Sequence, residues 1–178
     1  MIFIPGFLIS AVTFPGVIVH EAGHLLFCKL KKVAVLDVCF FRFGNPAGYV
    51  LHEEPKDFPS SFLIAVGPLI VNTLLCLFIC FPVLVPLRAF GREDPFDYVL
   101  IWLGLSIGMH AFPSTHDAKN LWSNARIAVK EKSVLALLSF PLVVFIYVGN
   151  ILSVVWFDLF YGVAVGWGIP SLIIKALA

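Results

Sequence analysis

From Phe58 to Leu87 the chain runs for 30 residues without a charged side chain. A helix of that length rises about 45 Å, more than the roughly 30 Å hydrocarbon layer of a bilayer. Lipid offers a backbone no hydrogen-bond partner, so such a stretch is satisfied there only as a spanning helix. The rest of the chain agrees: it is 60% hydrophobic and 13% charged, with a mean hydropathy of +0.99. No water-soluble domain needs that much apolar surface. A net charge of +1 without a basic stripe excludes a nucleic-acid partner.

The expected fold is an all-α membrane protein with four to five transmembrane helices and a short β-hairpin between the first and second. Ile2–Phe27 is the first span, with a kink expected near Pro15. Phe58–Leu87 is the second and Phe96–Phe112 the third. Val134–Phe157 is a fourth, and Leu159–Leu177 is a weaker fifth interrupted by Gly162, Gly166, Gly168 and Pro170. Branched and aromatic residues from Val33 to Phe43 and from Tyr49 to His52 bound a Gly44-Asn45-Pro46-Ala47-Gly48 turn, which is a hairpin signal. Ala118–Lys132 is polar and suits a surface helix. Residues 1–132 then form a three-helix core with hairpin and surface helix, and 133–178 a C-terminal helical hairpin packed on it. The cysteines show no ligand spacing; Cys76 and Cys80 serve as small buried hydrophobes.

Five Lys and Arg lie between Lys29 and Lys56, four between Pro113 and Lys132, and only two between Arg88 and Asp97. The first two segments are therefore expected to face the cytoplasm. The protein is expected to be multi-pass, in a plasma-type membrane, with its site toward the cytoplasmic face.

Near the end of the first apolar segment stands His20-Glu21-Ala22-Gly23-His24. Residues four apart share a helix face, so both imidazoles can reach one ion. A carboxylate one residue beyond the first ligand can act as general base on a water held there. This is the zinc hydrolase pattern. Such a cluster is costly among Val17, Ile18, Val19, Leu25, Leu26 and Phe27, which favours a functional role over incidental core histidines.

A catalytic zinc takes a third protein ligand and leaves one position open. Asp117 and His116 follow the third span, at the same membrane face as the motif, and periodicity does not separate them. His110 lies deeper, while His52, Glu53 and Glu54 belong to the hairpin and its exit.

With Gly67-Pro68-Leu69-Ile70-Val71-Asn72 in the second span and Asp117 after the third, the chain resembles the site-2 protease family of intramembrane zinc metalloproteases. The likeness covers Met1 to about Asn120. It implies one zinc per chain held by His20, His24 and Asp117, with His116 the fallback ligand and Glu21 the catalytic base. It further implies that Gly67, Pro68 and Asn72 position substrate. Interhelical hydrogen bonding and close packing explain Asn72 and Gly67 equally well. The family usually surrounds its Asp with Leu and Gly, whereas Asp117 has His116 and Ala118.

The expected function is hydrolysis of peptide bonds in membrane-anchored protein substrates. Three alternatives share parts of the pattern. A non-catalytic membrane scaffold of the same fold would have little reason to keep Glu21. A prenyl-processing-type zinc protease would take a later Glu as third ligand, but none follows Glu131, which sits in a basic stretch. A transporter would show repeats and more polar groups along its spans. Besides substrate and lipid, a regulatory membrane partner or a second copy of the chain is an expected contact.

Overall fold

The computed structural model describes residues 6–177. They form an all-α membrane protein with one small antiparallel hairpin. In chain order the helices are α1 (Gly6–Val12), α2 (Phe14–Leu30), α3 (Phe58–Phe90), α4 (Pro95–Met109), α5 (Thr115–Lys130), α6 (Val134–Leu152), α7 (Phe157–Val163) and α8 (Ile169–Leu177). Strands β1 (Val35–Cys39) and β2 (Tyr49–His52) lie between α2 and α3. A 3-10 turn follows α6, and a π-helical turn, Ala164–Gly168, joins α7 to α8.

Short polar side chains and prolines mark the helix boundaries. Asp57 caps α3 by accepting from the Ser60 N–H, with Pro59 in the first turn, and that N–H holds the Asp57 carboxyl below the usual carboxylate range. Gly91, at φ 61°, ends the same helix in the left-handed region. Asp94 and Asp97 form a reciprocal capping box on α4. Ser114 caps α5.

Three helical stretches are long and apolar enough to cross a membrane, and four are if α1 and α2 count as one bent span. Four to five were expected, so the count falls at or below the lower end of that range, for two physical reasons. The first apolar segment is broken at Thr13, where α1 and α2 meet at 90°, rather than kinked at Pro15, which lies within the first turn of α2. There the Thr13 hydroxyl donates to the Ile9 carbonyl at 2.6 Å and accepts the His110 Nε2–H at 2.8 Å. The third segment yields α4, a helix of only 15 residues. The expected first span also began at Ile2, outside the described residues.

α2, α3 and α4 pack backbone to backbone. A Cβ on Gly16 would overlap the Ser106 carbonyl of α4, and one on Gly23 would lie 3.0 Å from Pro68 Cα of α3. Cys76 and Cys80, both fully buried and free, fill the seam where Gly104, Gly108 and Gly166 approach α3. The last two apolar stretches divide their contacts. α6 lies along α5, where Trp122 meets Phe140 and Tyr147, while α7 places Phe157 against Phe112 and Gly162 against Gly108. Outward residues such as Phe78, 77% exposed, face lipid.

Candidate metal centre

α2 is long enough to hold His20 and His24 on one face, and both rings are buried. Their centroids stand 4.9 Å apart. Each ring is oriented by a backbone carbonyl: His20 Nδ1 by the His110 oxygen at 2.7 Å, His24 Nδ1 by the Ile64 oxygen at 3.0 Å. A carbonyl oxygen only accepts, so each Nδ1 carries the hydrogen. Each Nε2 of the neutral ring is then a lone pair.

The third group arrives from α5. Asp117 is three residues past the Ser114 cap, whose hydroxyl donates to Asp117 Oδ2 at 2.6 Å and accepts the Asp117 N–H at 3.2 Å. That fixes the carboxylate with Oδ2 3.6 Å from His24 Nε2. One donor atom each from His20, His24 and Asp117 lies within 4.8 Å of the others.

Two ring nitrogens and a carboxylate oxygen thus converge, all lone pairs, with no N–H or O–H among the ligating atoms to join them. A cation suits that arrangement. Ligand atoms on a tetrahedral zinc stand roughly 3.3 Å apart, so the 3.6 Å pair needs little movement. The carbonyl behind each ring is the outer contact that fixes tautomer and direction in metal sites. The donor types fit a metal ion such as zinc, which would draw together a set now spread over as much as 4.8 Å.

Glu21 is buried next to His20, and the hairpin closes over it: a Cβ on Gly48 would come 2.7 Å from Glu21 Cγ. A cavity of about 400 Å³ reaches the cluster, bordered by His24, Asp117, His116, His52 and Glu54. His20 and Glu21 do not line it. Val50, Leu51 and His52 form one wall, and a two-stranded sheet leaves β2 one unpaired edge.

The other sequence candidates separate clearly. His116 is exposed, with Nδ1 3.2 Å from Asn120 Nδ2, and stands outside the ligand cluster. His52 turns Nδ1 to the Glu53 carbonyl at 2.7 Å. His110 gives its ring to Thr13 and its carbonyl to His20. Asn72 is fully buried and directs its amide nitrogen at the carbonyls of Gly16, Ile107 and His110, at 3.3, 3.0 and 3.1 Å. It joins α2, α3 and α4 and does not border the cavity. Gly67 admits Phe27, whose ring a Cβ would strike.

No family model matches the chain, nor does any curated protein or solved structure. Sequence reasoning missed the Ile64 and His110 carbonyls, Ser114 and Gly48. Ser114 left a usable signal, a Ser three residues ahead of an Asp at a helix start, and Pro68 and Pro113 mark the two carbonyls as spare without naming what they meet.

Proposed function

We propose that this chain is a zinc-dependent intramembrane endopeptidase of the site-2 protease kind, acting on membrane-anchored proteins. The observation that carries the reading is the convergence of three lone-pair donors from α2 and α5, with Glu21 next to one of them. When bound, zinc supplies a Lewis acid for the peptide carbonyl and acidifies a water at its open position.

The chain's own groups do the rest. His20 and His24 present Nε2, and Asp117 supplies the charged ligand on a second element. Glu21 takes a proton from the attacking water and returns it to the leaving amine. Burial beneath the hairpin limits bulk water around it. The free edge of β2 beside the cavity suits a substrate segment drawn out of its helix and added as a strand. The surplus of Lys and Arg in the hairpin and α5 segments supports a cytoplasmic-facing site.

A second reading, a membrane binding protein that keeps this fold without turnover, draws on Glu21 being covered by Gly48 and absent from the cavity wall. The two separate on Glu21→Gln. For a protease, that variant retains one zinc per chain and loses cleavage of single-span test substrates by about 10²–10⁴-fold. His24→Ala and Asp117→Ala lose the zinc itself, and His116→Ala keeps it. Equal zinc content in wild type and His24→Ala removes the proposal. No cleavage by zinc-loaded wild type favours the binding protein.

A further inference from the structure

Two backbone carbonyls orient the histidines, and each is free for a reason written in the chain. In an α-helix the Ile64 carbonyl would accept from the N–H of residue 68, but residue 68 is a proline inside α3. Proline has no N–H, and its ring pushes the carbonyl four residues back out of the ladder. The carbonyl so displaced is the one 3.0 Å from His24 Nδ1. Gly23, in the same turn of α2, leaves the room for Pro68: a Cβ there would meet Pro68 Cα at 3.0 Å. The His110 carbonyl is spare because α4 has ended and Pro113, three residues on, has no N–H. It accepts from both His20 Nδ1 and Asn72 Nδ2, at 2.7 and 3.1 Å, which occupies both lone pairs.

We propose that Pro68 and Asn72 are positioning residues for the histidine ligands: Pro68 releases the Ile64 carbonyl to His24, and Asn72 pins the His110 carbonyl behind His20. The inference rests on the metal reading of the cluster. It gives the Gly67-Pro68…Asn72 stretch a task directed at the ion's ligands instead of at substrate. The role differs from helix kinking in general, because α3 also contains Pro82, which frees a carbonyl with no histidine beside it.

Pro68→Ala restores an amide that competes for the Ile64 carbonyl. Zinc affinity of the purified full chain, measured by competition with a chromophoric chelator, is expected to fall about 10–100-fold. The thermal midpoint of the metal-free protein stays level or rises, because α3 regains a hydrogen bond. Pro82→Ala, the control, restores a bond in the same helix and keeps wild-type zinc affinity. Asn72→Leu, which keeps the branched shape without the amide, weakens zinc over the same range. In the metal-free protein, 15N-labelled histidine reports a hydrogen-bonded Nδ1–H at residue 24 in wild type that is lost in Pro68→Ala.

Wild-type zinc affinity in Pro68→Ala overturns the proposal, as does equal loss in Pro68→Ala and Pro82→Ala. If Asn72→Leu does not fold, the Pro68→Ala arm decides. If wild type binds no zinc, the metal reading fails by itself. The metal-free histidine spectrum then still decides Pro68: an unchanged His24 Nδ1–H refutes its role and a lost one sustains it.

Discussion

At the scale of single residues, the centre consists of acceptors held by backbone and by one hydroxyl. That explains which parts of it the letters reveal. His20, Glu21 and His24 are legible because their spacing alone puts the imidazoles on one face. Asp117 and His116 stand side by side, and what separates them is the Ser114 hydroxyl that turns Asp117 inward. The Ile64 and His110 carbonyls were overlooked: Pro68 and Pro113 mark them as spare, but only the packed helices show that a histidine takes up each one. Gly48 belongs to the same class, an ordinary turn residue until Glu21 lies beneath it. Adding one methyl there tests that contact. Gly48→Ala puts a carbon 2.7 Å from Glu21 Cγ, so the base or the hairpin must shift. Cleavage is expected to fall by about a hundredfold while zinc content holds. Unchanged turnover would mean that Glu21 does not depend on the hairpin for its place.

Among the elements, α3 and the hairpin were readable almost in full. An uncharged apolar run has one conformation open to it in lipid, and a Gly/Asn/Pro cluster between branched residues has few. The first segment was not, because nothing in its composition distinguishes a kink at Pro15 from a right-angle break two residues earlier. Proline is at ease in a helix's first turn, so the actual break falls ahead of it, where Thr13 and His110 exchange a hydrogen bond. The α6 and α7 partners were hidden for a related reason: α6 is apolar almost all round and α7 is only seven residues long, so periodicity names no face for either. For the hairpin the decisive variant is Val35→Pro. Val35 pairs with His52 at the end of the ladder, and a proline there removes a donor and loosens β2, which walls the cavity. Slower cleavage with zinc content intact is expected; zinc loss together with activity would show the sheet to be a support of the ligands.

For the molecule as a whole, the candidate ligands come from helices far apart in sequence, so an ion held by them would bind the folded chain and not the unfolded one. Zinc at a hundred times its dissociation constant should then stabilise wild type by about 2.7 kcal/mol. His24→Ala should show no such gain in a denaturant or thermal titration. The length of α4 has a last consequence for the membrane around it. Fifteen residues rise about 22 Å, and a hydrocarbon layer is about 30 Å thick. If α4 crosses the bilayer, the lipid beside it has to thin to match it, and headgroups and their hydration then sink toward one end. The carboxyl end of α4 is the one that holds His20 in place. A shortfall at that end would bring solvent toward the three candidate ligands, which the surrounding helices otherwise bury.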